Sequence, residues 1–374
     1  MSTIASAPDT GISKVESFET SAKETSHVEF DTLRGLAMIA VVSHHVSLRM
    51  VDALTGLTLS LPNVYLWLSL ISDAIAPLRI PLFTILSGYI YAKKPVTREA
   101  IQRFMSGKIR RLLLPLMFVS IVKYLYQIHL RGITPSYTFL GVTHQVDLHD
   151  VWQLWFFHFG HLWFLQALFL IFCGVVILEL LGLLKSFKMW LLWMIVLTVA
   201  PYIIHGSSFL SLYKAIPLTV FFIGGLGLYR FRDIIANTPH ITPMAWALFI
   251  VLLTLNIAPR ILKQLDIDFN LQNTRIIYVL AGVCGSYCLM QLRLKIHWLA
   301  WIGGFSYTIY LYHGLGLTTH QLFDDMLQWG EAGGTIWWTL TLASGLLLPI
   351  AIHKLFINIP VLRAPTLGKS FSVK

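Results

Sequence analysis

Ten runs of mostly apolar residues, each about the length needed to cross a bilayer, dominate this chain. They lie at about 31–50, 64–92, 110–130, 161–182, 187–205, 209–229, 242–259, 274–292, 298–320 and 335–357. Roughly 20 apolar residues wound as an α-helix match the ~30 Å hydrocarbon core of a membrane. In that core only helices and closed barrels satisfy their own backbone hydrogen bonds. Barrel strands would read as segments of about ten residues with alternating polarity, whereas these runs are continuous. Charged residues fill only 12% of the 374 positions, about half the ~25% typical of soluble domains. The expected fold is all-α: a polytopic membrane helical bundle of about ten transmembrane helices.

Charge in the connections gives that bundle a direction, because cytoplasmic loops carry the excess of Lys and Arg. Lys93, Lys94, Arg98, Arg103, Lys108, Arg110 and Arg111 follow the second run, Lys185 and Lys188 the fourth, Arg230 and Arg232 the sixth, and Arg293 and Lys295 the eighth. Lys354, Arg363, Lys369 and Lys374 follow the last. The alternate loops hold Asp147, Asp150, Asp266, Asp268, Asp324, Asp325 and Glu331. Both termini are then cytoplasmic, as an even number of spans requires. The net charge of +10 reports this topology and implies no nucleic-acid partner. Residues 1–29 are polar and lack a signal-peptide apolar core, so they read as a disordered cytoplasmic tail. Residues 30–358 form the transmembrane domain and 359–374 a short cytoplasmic tail. Pro77 and Pro81 are placed to kink the second run, and Trp152 to Phe159 reads as a short interfacial aromatic helix ahead of the fourth. Cys173, Cys284 and Cys288 sit inside apolar runs and read as packing residues; no metal site is expected.

The first run carries two functional candidates on one helical face. Arg34 and His45 are eleven positions apart, which at ~100° per residue is close to three turns, and at ~1.5 Å per residue roughly 16 Å of rise. Arg34 then lies at the cytoplasmic surface and His45 near mid-membrane. A charged side chain at that depth costs roughly 2.5–3.5 kcal/mol on insertion scales, which makes an intramembrane polar residue a candidate for function. A neutral imidazole can take a proton from a hydroxyl near pH 7. His44 is rotated away by roughly 80° and is the weaker candidate.

Other constellations carry weaker signals. Lys108, Arg110 and Arg111 lead directly into an apolar run and suit a phosphate-bearing ligand as well as lipid headgroups. Arg79 is deep in an apolar stretch and needs a partner or a cavity; Asp73 is a possible ion-pair partner. Ser87-Gly88 permits close helix approach. His161 and Trp163 open the fourth run, and Ser306, Tyr310 and His313 recur on one face of the ninth, beside Tyr307. The chain contains no Gly-rich phosphate loop, no His-Glu-x-x-His helix and no Gly-x-Ser-x-Gly elbow.

Taken in order, these pieces resemble acyltransferase family 3, the integral-membrane O-acyltransferases that modify bacterial surface sugars. Arg34 and His45 fit the first-helix arginine and histidine. Pro81-Leu82-Phe83 with Ser87-Gly88-Tyr89 resembles the second-helix block, and Lys108-x-x-Arg111 before Leu112-Leu113-Leu114-Pro115 resembles the basic pair opening the third. His161-Leu162-Trp163-Phe164-Leu165 is similar to the fourth-helix start, and Ser306-Tyr307-x-x-Tyr310-Leu311-x-His313 to the late Ser-Tyr block. Two departures stand out: the basic pair is Lys and Arg rather than two arginines, with Arg110 as a substitute, and the histidine is doubled.

The resemblance implies ten helices in a bacterial inner membrane and acetyl-CoA, or another acyl-CoA, as a co-substrate entering from the cytoplasm, with no permanently bound cofactor. The acceptor would be a sugar hydroxyl on a polysaccharide or lipid-linked glycan. Joined to the residues, it gives a mechanism: Arg34, Lys108, Arg110 and Arg111 bind the donor phosphates, and His45 acts as general base on the hydroxyl. Arg79 or Ser87 stabilises the oxyanion, with His161, Trp163, Ser306 and Tyr307 as further substrate contacts. Transfer through an acyl-histidine is a variant of the same reading. On physics alone a transporter for a sugar, lipid or organic anion fits intramembrane Arg and His equally well; the lack of an internal repeat and the single-sided basic mouth speak against it.

Overall fold

The computed structural model describes residues 11–56, 63–139, 142–157, 159–203, 208–264, 267 and 274–370. Residues 1–10, Asp266, Asp268 and Lys374 lie outside the described residues. The helices are α1 (Gly11–Gly56), α2 (Asn63–Ala74), α3 (Ile80–Lys93), α4 (Ile101–Lys108), α5 (Leu114–Arg131), α6 (Trp163–Leu180), α7 (Phe187–Ile203) and α8 (Leu212–Arg230). They continue as α9 (Arg232–Asn237), α10 (Ile241–Gln264), α11 (Thr274–Gln291), α12 (His297–Gly304), α13 (Ser306–Leu317), α14 (Gly330–Phe356) and α15 (Pro360–Leu367).

Six helical stretches among the described residues are long and apolar enough to cross a membrane: His27–Thr55, Arg98–Arg131, Leu148–Leu180, Phe209–Arg230, Ile241–Leu262 and Asp324–Phe356. A seventh is the pair Trp67–Ala74 and Ala76–Lys93, bent by 49°. The bend falls at the 3-10 turn Ala76–Leu78, with Pro77 inside it and Pro81 near the start of α3, the kink that the two prolines predict. The remaining apolar runs form shorter elements. Phe187–Ile203 and Arg275–Gln291 are shorter apolar helices, and the run at 298–320 breaks at Phe305 into α12 and α13. This is a multi-pass membrane protein, all-helical among the described residues apart from one hairpin, β1 (Ser136–Phe139) paired antiparallel with β2 (Val142–Gln145). The aromatic stretch after it is a 3-10 helix, Leu148–Trp155, anchored where the Gln166 amide donates to the Trp155 and Phe157 carbonyls.

Glycines set the closest helix contacts. A Cβ on Gly35 would overlap the Leu299 carbonyl, and one on Gly303 the Asp31 carbonyl, so α1 and α12 meet backbone to backbone. Thr32 reinforces the joint: its Oγ1 accepts from the Ile296 amide at 3.2 Å and donates to the Val28 carbonyl at 2.8 Å. Gly88 of α3 lies against the Phe222 carbonyl of α8, and Gly225 of α8 against the Ile85 carbonyl of α3. Small residues at such crossings let dispersion contacts replace the hydrophobic drive that lipid removes.

Helices reach into both terminal segments. Helix α1 begins at Gly11, within the stretch read as a disordered tail. In the stretch read as a short tail, α15 packs back onto the bundle with Ala364 and Leu367 buried. The Tyr312 hydroxyl donates to the Thr366 carbonyl at 3.1 Å, and Gly368 caps α15 in the left-handed conformation beside the Arg111 backbone.

Candidate active site

His45 lies in the C-terminal part of α1, and its ring centroid is 5.1 Å from that of His313 on α13. The His313 ring is in turn 4.4 Å from His161, which sits in the 3-10 turn just before α6. Three imidazoles from three distant parts of the sequence therefore form one cluster. Gly314 makes room for it, since a Cβ there would come to 2.9 Å from His161 Cε1.

Main-chain carbonyls fix the protons of two of these rings. His313 Nδ1 lies 3.1 Å from the Ile309 carbonyl and 2.9 Å from that of Tyr310. A carbonyl can only accept, so Nδ1 carries the hydrogen and a neutral His313 presents a bare Nε2. His161 Nε2 lies 3.1 Å from the Leu311 carbonyl, so its Nδ1 is the bare nitrogen. The Tyr310 hydroxyl donates to the His161 carbonyl and holds that turn to α13. Anchoring one ring nitrogen as a donor pre-orients the other as an acceptor.

The cluster stands between two cavities; His45, His161, Trp163 and His313 line both. The larger, about 420 Å³, adds Arg49, Asp52, Lys123, Tyr126, Gln127, Arg131 and Lys214. The smaller, about 220 Å³, adds His44, Arg79, Tyr278 and Tyr310. In the smaller one Arg79 Nη1 donates to Ser72 Oγ at 3.2 Å, and Ser72 Oγ is 3.1 Å from His44 Nδ1. His44 thus faces α2 through Ser72, while His45 faces α13. Asp73 does not pair with Arg79; it forms an ion pair with Arg260 of α10, because the bend between α2 and α3 turns the two neighbours to different helices. No group of three or more metal-ligating side chains is placed to hold a metal ion among the described residues.

The other sequence candidates are placed elsewhere. Arg34 donates to Asp31 at 2.7 Å and lines neither cavity. Lys108 Nζ sits 3.5 Å above the Phe172 ring and 4.9 Å above Phe104. Arg110 and Arg111 lie on a single π-helical turn, Ile109–Leu113, with Arg110 Nε buried and unpartnered. Among the described residues no hydrogen bond or ion pair joins Arg34 to these three cations. Ser87 Oγ donates to the Phe83 carbonyl of its own helix at 2.8 Å. Ser306 is buried at the start of α13, and the Tyr307 hydroxyl donates to the Arg111 carbonyl, tying α13 to the π turn. Of the oxyanion and substrate candidates, then, Arg79, His161 and Trp163 surround the histidines, and Ser87, Ser306 and Tyr307 make contacts within the bundle.

A multi-pass helical bundle with a polar, histidine-lined site buried among its spans defines a class: membrane proteins whose chemistry or transport lies inside the helices. Over residues 27–354 the chain matches the acyltransferase 3 family, described as an acyltransferase domain, and it belongs to that family. No curated protein and no solved structure matches it.

Proposed function

We propose that this protein is a membrane O-acyltransferase of the bacterial inner membrane. It moves an acyl group, acetyl in the usual case, from acyl-CoA to a hydroxyl of a sugar in a polysaccharide or lipid-linked glycan. The observation that carries this reading is the His45–His313–His161 cluster, standing between two cavities in a chain of an acyltransferase family.

In the proposed reaction the acceptor hydroxyl attacks the thioester carbonyl. His45 takes the hydroxyl proton, a C–O bond forms, the C–S bond breaks, and the imidazolium returns the proton to the departing thiolate. His313, whose ring is in contact with that of His45, orients the base and stabilises its protonated form. Arg79, in the smaller cavity with His45, stabilises the oxyanion. Arg34, on the same helix as His45, and Lys108, Arg110 and Arg111 hold the donor phosphates on the cytoplasmic side. The positive-inside pattern of the loops supports this orientation, with ten crossings and both termini in the cytoplasm.

The test supplies purified protein with radiolabelled acetyl-CoA and a glycan acceptor. His45→Ala should lower transfer at least about 100-fold. Transfer that survives the substitution overturns the role of His45. Label retained on the wild-type protein in the absence of acceptor would make the route an acyl-enzyme one.

A further inference from the structure

The larger histidine cavity is strongly cationic on a side that the donor-binding proposal does not use. Arg49, Lys123, Arg131 and Lys214 line it against one carboxylate, Asp52. Asp52 stands 3.6 Å from Arg49, and the lining offers Lys123 and Arg131 no second carboxylate. Lys123 is the sharpest case. It lies in the middle of α5, its ammonium 4.1 Å above the Phe159 ring and packed on Gly160. Gly160 has φ +55°, and a Cβ at that position would strike the Lys123 Nζ. The backbone thus reserves space for a cation in the wall of the cavity. Cations at membrane depth are costly and persist where they meet a partner, and the face of an aromatic ring neutralises no charge.

The same cavity offers hydroxyl and ring recognition. Gln127 lines it with a side-chain oxygen that is buried and has no hydrogen-bond partner, an acceptor open to a ligand hydroxyl. Trp163 lines it as well, with Lys214 Nζ 4.2 Å over its ring. A volume of about 420 Å³ is within the usual range for small-ligand sites.

We infer that this cavity is the acceptor site and that the acceptor is an anionic sugar, its phosphate or carboxylate oxygens held by Arg49, Lys123 and Arg131, with a hydroxyl on Gln127 and another within reach of His45. That the ligand is the acceptor rests on the acyl-transfer reading; that it is an anion rests on the cavity. An uncharged acceptor would leave Lys123 and Arg131 without an opposite charge in the cavity, whereas a sugar diphosphate or a uronic acid offsets them.

The test is equilibrium binding to full-length protein in neutral-lipid nanodiscs, with three probes: a glycosyl diphosphate, a uronic-acid oligosaccharide and a neutral oligosaccharide of the same length. At least one anionic probe should bind tenfold or more tightly than the neutral one, and the tighter of the two identifies the source of the charge. Lys123→Met and Arg131→Gln should each weaken that binding about tenfold. Arg131 is at the end of α5, so its substitution tests the inference even if Lys123→Met fails to fold. Equal affinity for charged and neutral probes, or anion binding unchanged in both variants, overturns the inference. Anion binding without acyl transfer to any probe would overturn the acyl-transfer reading and leave the anion site standing.

Discussion

The imidazole of His45 on α1 and that of His313 on α13 are in ring contact, centroids 5.1 Å apart and planes inclined by 36°. The contact pairs a ring held by side-chain packing with one whose Nδ1–H is committed to two main-chain carbonyls. In the proposed mechanism the imidazolium of His45 forms beside this fixed ring. If the two rings act together in acyl transfer as proposed, substitutions at the two positions should not be additive.

His313→Gln tests that coupling. The amide keeps a polar side chain near the carbonyls but offers no imidazole nitrogen to His45. Acyl transfer should fall about 100-fold, with thermal stability close to wild type, and the double substitution with His45→Ala should be hardly worse than His45→Ala alone. Fully additive losses in single-turnover measurements would show that the two rings act separately.

Gly314→Ala addresses the space between α13 and His161. The new methyl would stand 2.9 Å from His161 Cε1, tighter than van der Waals contact allows. His161 is fixed to the Leu311 carbonyl, so the ring must turn or leave that bond. A displacement of this kind near reacting groups can cost up to about 100-fold in rate. We expect a fall of about tenfold or more in kcat with the fold retained, checked by transfer kinetics beside a melting curve.

The basic π turn should govern the donor. Arg110 carries a buried, unpartnered Nε, and Arg111 is exposed with its carbonyl bound to Tyr307. A charge-assisted hydrogen bond to phosphate is worth about 1.5–3 kcal/mol. Arg110→Ala or Arg111→Ala should accordingly raise the KM for acyl-CoA at least tenfold with little change in kcat. A KM that stays fixed while kcat collapses would move these residues out of donor binding.

How much of this was readable from sequence depends on distance along the chain. The helical class, the proline bend and the placement of His45 and His44 on different faces all follow from local patterns, and local patterns survive folding. The partnership of His45, His161 and His313 joins positions from both ends of the chain, and no spacing rule reaches that far. The cationic cavity has the same origin, since Arg49, Lys123, Arg131 and Lys214 come from three helices. Lys123 carries a local signal, as an intramembrane lysine within the third apolar run. Asp73 and Arg79 look like natural partners in sequence, and the bend separates them. The packing of α15 was masked because Pro360, Arg363 and Pro365 give that segment the composition of a tail.

Removing α15 should therefore do more than trim a tail. Truncation after residue 359 would uncover the surface beneath Ala364 and Leu367 and break the Tyr312–Thr366 bond. One buried leucine and one hydrogen bond together are worth about 3 kcal/mol. The truncated protein should melt lower and bind donor more weakly, because Gly368 lies against Arg111. A melting temperature and a donor KM equal to those of the full chain would reduce α15 to an ornament of the fold.

The ion pair between Arg230 and Glu179 should be the most sensitive structural charge in the bundle. Arg230 at the end of α8 meets the Glu179 carboxylate of α6 in a fork, Nη1 to Oε1 at 2.7 Å and Nη2 to Oε2 at 2.9 Å. Nη1 also donates to the Leu184 carbonyl at 2.9 Å, so one guanidinium fastens α8 both to α6 and to the turn that follows it. The Glu179 side chain is only 9% exposed. Losing one member of a buried pair strands the other charge, at about 3–5 kcal/mol. Glu179→Gln should lower thermal stability by that order, while the substitution of both partners by apolar residues of similar size should recover much of it. Because the pair lies away from both histidine cavities, whatever protein does fold should keep its acceptor affinity; a selective loss of acceptor binding at unchanged stability would instead couple this joint to the site.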